Sequence, residues 1–342
     1  MVLDRRFAFC FLACFLGLTV QATAAGVVNV YSYREPQLVT PLFEAFTAET
    51  GIAVKMVYAD KGLIERLQQE GELSPADLLL TADGGRLVEA AAKGLAQAVV
   101  EPSIIAHVPA KLRAPDNKWF GLTMRARVIY AARQRVKQDS ISYEELADPK
   151  WKGKVCTRPG DHPYNLGLIA AMIVKRGESE TRKWLQGVKA NLAIKPSGND
   201  RSQAKSVAAG ECDLAIGNTY YMVAMQKSPE QKSWADAVKM IFPNAEGRGT
   251  HVNISGVALA PHAPNASNAM QLIEFLVSNE AQKLYAEADG EYPVVSGVKA
   301  SDMVESWGPL KADPLPLAKI AELRKKASEM IDRVHFDAGP NS

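Results

Sequence analysis

The sequence predicts an α/β fold in two lobes, each a mixed, mostly parallel sheet flanked by helices, with a ligand cleft between the lobes. Three observations carry this reading. Apolar runs of strand length alternate with stretches of helical period. The alternation starts afresh after Gly121. A late strand-like segment, Val252 to Ala260, can then return to the first sheet.

The 342 residues are enough for two domains of ordinary size. Apolar positions make up 47%, which excludes a disordered chain. Forty Lys+Arg against thirty-eight Asp+Glu leave a formal charge of +2, so there is no global electrostatic footprint for nucleic acid. The first 25 residues stand apart. Asp4-Arg5-Arg6 precedes the uncharged run Phe7 to Val20, and Ala22-Thr23-Ala24-Ala25 follows. A basic start, a short apolar run and small residues at the exit make a signal peptide, cut after Ala24 or Ala25. The run falls short of the roughly 20 residues a bilayer span needs, which weighs against an uncleaved anchor. Phe11-Leu12-Ala13 before Cys14 is a poor lipobox. The expected mature chain is exported to the periplasm and is not embedded in a membrane.

The elements follow in order. Val27 to Tyr31 is a short buried strand, and Leu38, Leu42, Phe43 and Phe46 recur at helical spacing up to Gly51. Ile52 to Tyr58 is the second strand and Gly62 to Gln69 the second helix. Ala76 to Thr81 is the third strand, with a helix from Arg86 to Lys93. This βαβαβ order implies parallel pairing, with ligands beyond the carboxyl ends of the strands. Those ends hold Tyr33-Arg34-Glu35 and Ala82-Asp83-Gly84. In the second run, Leu122 to Ala131 and Val155 to Thr157 are strands, and helices cover about 164–175, 180–188 and 201–209. Cys212 to Gly217 is a strand, and residues 316–333 form one amphipathic helix with Leu317, Ile320, Leu323 and Ile331 on its apolar face. The expected first lobe is 26–126 plus 251–301, and the second is 127–250 plus 302–342. Hinge closure around a ligand is the usual behaviour of such an architecture.

With Cys10 and Cys14 in the leader, Cys156 and Cys212 remain. In an exported protein this pair suggests one disulfide between neighbouring strands, the alternative being two buried thiols. No GxSxG, P-loop or GxGxxG is present, and the five histidines form no HExxH or i, i+4 pair. Tyrosine stands out instead. Gly217-Asn218-Thr219-Tyr220-Tyr221-Met222 and Asp161-His162-Pro163-Tyr164-Asn165 each follow a strand and open a helix. Tyr33 holds the corresponding place in the first lobe. On spacing alone these are a phenolate site or rim tyrosines with buried rings and wet hydroxyls.

From Val28 to about Val334 the chain resembles the periplasmic ferric-iron-binding proteins of ABC uptake systems. The resemblance rests on Tyr31-Ser32-Tyr33-Arg34-Glu35-Pro36, on Asp77 to Leu87, on Met124-Arg125-Ala126-Arg127-Val128, on Asn218-Thr219-Tyr220-Tyr221, and on Arg248 to Gly256. It implies a type II periplasmic binding protein, transferrin-like and bilobal. It also implies Tyr164, Tyr220 and Tyr221 as Fe3+ ligands and an anion held near Arg125 or Arg127. Some members carry His-Tyr where this chain has Glu35 and Pro36, and proline cannot ligate. Members with the form seen here fill the shell with a synergistic anion such as carbonate or bicarbonate. Tyr33 is a first-lobe candidate ligand; Glu35 is a lesser one, or a loop or capping residue. Asp83 is a supporting hydrogen-bond acceptor or a helix cap. The implied partners are an inner-membrane ABC permease and its ATPase, and the implied carrier is a monomer.

The chemistry agrees. Ferric iron is hard and prefers anionic oxygen. A trivalent ion favours phenolate over phenol. An arginine fork matches a planar oxyanion. Adjacent residues diverge on a helix, so Tyr220 and Tyr221 are expected just before the first turn. Arg125 and Arg127 share one strand face, and sequence does not choose between them. Two other functions fit less of the pattern: a small-anion carrier whose tyrosines only line the cleft, and a secreted enzyme using tyrosine as acid or base.

Overall fold

The computed structural model describes residues 26–340. The proposed leader, 1–25, lies outside the described residues. Nine strands form the framework: β1 (Val27–Ser32), β2 (Ala53–Tyr58), β3 (Leu78–Thr81), β4 (Phe120–Ala132), β5 (Val155–Cys156), β6 (Leu214–Asn218), β7 (Val238–Ile241), β8 (Val252–Leu259) and β9 (Tyr292–Pro293). Their order is β2-β1-β3-β8-β4-β6-β5, with β7 and β9 also pairing with β4. β1 pairs in parallel with β2 and β3, as the βαβαβ order requires. β8 does return to the first sheet, antiparallel to β3.

β4 is the element that joins the two halves. Its first part, Phe120 to Ala126, pairs with β8. From Arg127 onward it pairs with β6, and from Ile129 also with β7. The chain crosses back beside this point, where the Arg127 amide donates to the His251 carbonyl at 2.9 Å. Two buried cores lie on either side. One gathers Val28, Phe46, Leu80, Phe120 and Ile273. The other gathers Ile129, Leu168, Leu185, Leu214 and Ile331.

Two helical expectations change. The segments expected at 164–175 and 180–188 are one run, Pro163–Asn191, interrupted only at Gly177, whose φ of 78° a glycine tolerates. The helix expected over 316–333 is two, Leu317–Glu322 and Arg324–Arg333, with a break at Leu323 (φ −97°, ψ 2°). Leu317 lies against the first core, while Ile320 before the break and Ile331 after it both belong to the second, so the first of these short helices meets both cores.

Cys156 ends β5, and Cys212 lies two residues before β6 rather than inside a strand. They form a disulfide with Cα atoms 5.9 Å apart. The bridge closes a loop of 56 residues, which in the chain-entropy account is worth up to about 4 kcal/mol. Replacing both cysteines by serine is expected to lower unfolding stability by about 2–4 kcal/mol, read as a shift in the urea midpoint. An unchanged midpoint would place the loop's constraint elsewhere.

Candidate metal centre

A cleft of about 380 Å³ is lined from both halves of the molecule. Strand ends and helix starts build it, because carboxyl edges of parallel strands leave backbone and side chains free there. β1, β2 and β3 end at Ser32, Tyr58 and Thr81, and Tyr33, Tyr58 and Asp83 all face the cleft. On the far side lie Tyr164, Tyr220 and Tyr221.

Each of those three tyrosines sits in the first turn of a helix. Pro163 occupies the first position of Pro163–Asn191, where its missing N–H costs nothing. Tyr164 follows, and its amide donates to Nδ1 of His162 at 3.2 Å. His162 is thus the helix cap. Burial and the nearby Arg158 hold it neutral, lowering its pKa to about 3. Tyr220 and Tyr221 are the first two residues of the helix Tyr220–Lys227, and Thr219 before them already has helical backbone angles. The expectation that both precede the first turn is therefore corrected. At a helix start nothing lies on the N-terminal side to separate the two side chains. Their rings lie side by side, centroids 4.1 Å apart and planes 33° apart. The Tyr164 and Tyr220 hydroxyls are 3.2 Å apart. Burial, then the neighbouring phenols, push the Tyr220 phenol well above its ordinary value, and burial does the same for Tyr221. Both are protonated at neutral pH unless a cation arrives.

Cations surround this cluster. The guanidinium carbons of Arg125, Arg127 and Arg158 lie 5.9, 5.8 and 5.2 Å from the Tyr164 ring centroid. Arg201 lies 5.7 Å from that of Tyr221. Both terminal nitrogens of Arg127 are engaged, and only its Nε lacks a partner among the described residues: Nη1 donates to Asp200 at 2.6 Å and Asn218 at 3.0 Å, and Nη2 donates to Asn165 at 2.8 Å. Asp200 also accepts from Arg158 at 3.1 Å and from the Asn218 amide at 2.9 Å. Burial alone would raise the Asp200 carboxyl, but the two arginines hold it below its ordinary range. Arg125 is different. It is 1% exposed, and among the described residues its three side-chain nitrogens make no hydrogen bond. Its nearest carboxylate is Glu291, at 3.9 Å. Glu291 already accepts from Arg34 at 3.0 and 3.1 Å and from the Thr123 hydroxyl. The two arginines also overcome the effect of burial on Glu291 and keep it ionised.

The first-lobe candidates are mostly committed. The Tyr33 hydroxyl accepts from the Ile64 amide at 2.8 Å, and Arg86 covers its ring at 3.9 Å. Glu35 is exposed at the start of the helix Pro36–Thr50, makes no capping bond and accepts from Gln37. Asp83 caps the helix Gly84–Ala92, accepts from Asn253 at 2.7 Å and pairs with Arg324. Burial would raise its carboxyl, yet Arg324, Asn253 and Arg125 hold it below the ordinary value. Sequence reasoning missed Arg158, Asp200 and Tyr58. Tyr58 carried a usable signal, since it closes a parallel strand just as Tyr33 follows one. Arg158 and Asp200 carried none, being paired across 42 positions. Among the described residues no group of three or more His, Cys, Asp and Glu is placed to hold a metal, and the oxygens of Tyr164 and Tyr220 converge at 3.2 Å.

Known proteins resemble this chain over most of its length. Residues 41–312 match the family model for bacterial extracellular solute-binding proteins. Iron uptake protein A1 of Synechocystis is 45% identical, over 89% of this chain and 86% of its own. The apo ferric ion-binding protein A of Pasteurella haemolytica superposes with a TM-score of 0.88 at 47% identity, over 92% of this chain and 99% of that one. A Trichodesmium protein solved with iron and citrate superposes at 0.86 and 41% identity, over 91% and 100%.

Removing Asp200 would leave two buried guanidiniums without their shared carboxylate. Asp200→Asn is expected to cost about 3–5 kcal/mol of unfolding stability, measured in urea at neutral pH. Because the Asp200 carboxyl is depressed in the folded state, its contribution is complete above the unfolded carboxylate value of about 4 and fades as pH falls through the lowered folded value. The variant's acid limb should accordingly be flatter than the parent's.

Proposed function

The chain belongs to the family of bacterial extracellular solute-binding proteins, and on that premise we propose that it is a periplasmic carrier of Fe3+. It binds the ion through the phenolates of Tyr164, Tyr220 and Tyr221, with a synergistic anion, and delivers it to an inner-membrane ABC permease driven by its ATPase. The carrier acts as a monomer and performs no catalysis. One observation carries the reading: the Tyr164 and Tyr220 oxygens are 3.2 Å apart with Tyr221 stacked beside them at one cleft. Two oxygens at that spacing subtend roughly 100° at a metal about 2 Å from each, close to the right angle of octahedral coordination. The relatives named for iron uptake and ferric binding support the choice of ion.

Charge supports the anion. Three phenolates neutralise a trivalent ion. Arg125 has no hydrogen-bonded carboxylate, because the nearest, Glu291 at 3.9 Å, already accepts from Arg34. All three side-chain nitrogens of Arg125 are unpartnered among the described residues, whereas both terminal nitrogens of Arg127 are taken, which favours Arg125 as the anion's partner. A planar carbonate or bicarbonate suits that fork; the Trichodesmium structure holds citrate with its iron.

Ferric tyrosinate absorbs visible light, so the loaded protein should be orange-red. Tyr220→Phe or Tyr221→Phe is expected to bleach it and to weaken iron binding by at least ~100-fold, measured by chelator competition. Retained colour and affinity in both variants would remove these residues from the shell. Burial raises the Tyr220 and Tyr221 phenols, so iron must displace their protons. Affinity should therefore fall as pH falls, roughly tenfold per pH unit for each proton released. Arg125→Gln should quicken iron loss in bicarbonate buffer and abolish the benefit of adding bicarbonate. A bicarbonate effect that persists in that variant would place the anion elsewhere.

A further inference from the structure

Tyr58 has a position that the carrier reading leaves unexplained. It closes β2 and lies in register with Ser32 of β1, at the carboxyl edge of the first lobe's parallel strands. It is 42% exposed, a large aromatic side chain left open to solvent. It lines the same cleft as Tyr164, Tyr220 and Tyr221, from the opposite lobe. Its phenol lies near enough to Tyr164 for the charge on one to be felt by the other. Among the described residues its hydroxyl has no hydrogen-bond partner, whereas Tyr31 donates to Glu70 at 2.8 Å and Tyr33 accepts from Ile64.

We infer that Tyr58 is the ligand the first lobe supplies to the ferric ion, a fourth phenolate that ties the two lobes together across the metal. The inference rests on the carrier reading above and deepens it. A bound ion favours the closed state only through contacts that the open state lacks. A donor on the first lobe is one such contact, since the second-lobe tyrosines meet the ion in either state, and the first-lobe candidates narrow quickly. Pro36 has no donor. Tyr33 is bonded to a backbone amide, and Asp83 is held by a helix start, Asn253 and Arg324. Tyr58 keeps a free oxygen on a side chain that can swing from the strand end. Ligation exchanges its O–H bond for an O–Fe bond, releases the proton to solvent and leaves the iron ferric. The extra negative charge falls beside Arg86, and across the cleft Arg158 and Arg201 face it.

The carboxylates of Glu35 and Asp60 line the cleft as well, and colour separates them from Tyr58. Only a phenolate adds to the charge-transfer band; a carboxylate does not. The full mature chain would be loaded with ferric nitrilotriacetate in bicarbonate buffer, as wild type, Tyr58→Phe and Tyr33→Phe. Absorbance per bound iron, resonance Raman of the tyrosinate modes and iron release to a chelator would be measured. The expected Tyr58→Phe protein is still coloured, but its band is weaker and shifted, and it releases iron about tenfold faster or more. Tyr33→Phe should match wild type in both respects. An unchanged band in Tyr58→Phe, whether or not release quickens, removes Tyr58 from the shell. A wild-type protein that takes up no ferric ion and stays colourless would instead defeat the carrier reading itself. At 42% exposure the phenylalanine variant should fold normally, and its circular dichroism would verify this.

Discussion

Buried positive charge held beside neutral phenols is the constraint on which the rest of the cleft depends. Arg125, Arg127 and Arg158 are each at most 8% exposed, and all stand within 6 Å of one tyrosine ring. Unpaired, three such guanidiniums would be costly to bury. Asp200 and Glu291, themselves fully buried, make the arrangement possible by taking Arg127 and Arg158 on one side and Arg34 on the other. The pairing is incomplete at Arg125. That residual charge gives the cleft an appetite for negative species, whether a phenolate formed on the protein or an anion from solution.

The same two arginines show how topology and electrostatics are joined. Both lie on β4, but they face different partners because the strand changes sheets between them. Arg125 is paired in register with Asn253 of β8, Arg127 with Asn218 of β6. Arg127 therefore belongs to the framework that holds the strand before Tyr220. Arg125 belongs to the junction, near the Glu291 carboxylate that precedes β9. The strand changes partner between Ala126 and Arg127, so the two charges stand on either side of the crossing.

Much of this was legible in the chain. Strand and helix alternation could be read from local pattern, because it depends on neighbours in sequence; the cysteine pair followed from two cysteines in an exported chain, and the three second-lobe tyrosines were singled out as ligands by the family resemblance, spacing alone leaving them open. The choice between Arg125 and Arg127 could not. It depends on Asp200, which comes 73 residues after Arg127 and reaches it only through the fold. Tyr33 looked as open as any rim tyrosine until Ile64, 31 residues on, claimed its hydroxyl. The single helix read over 316–333 had the right apolar period, but period does not say which core each turn meets. The helical start at Tyr220 was misjudged for a related reason: divergence of adjacent side chains constrains a helix interior, and it relaxes where no preceding turn exists.

The placement of the tyrosines at helix starts is supported by rigidity just upstream. Gly217 precedes Asn218 in β6, and a Cβ there would meet Tyr130 at 2.2 Å. The glycine is required so that the Tyr130 ring can lie flat against the strand. The Tyr130 hydroxyl then donates to the Asn218 carbonyl, while the Asn218 side chain and amide are held by Arg127 and Asp200. Asn218 is therefore fixed at its carbonyl, amide and side chain, two residues before Tyr220. On the other arm, the Asn165 amide donates to Thr157, Arg158 and Pro159, fixing the turn into the helix that carries Tyr164. A hard ion bound by soft, mobile donors would pay their ordering entropy on every capture. Here Asn218 and Asn165 hold the backbone that carries the three phenols, so little of that ordering cost would fall on a bound ion.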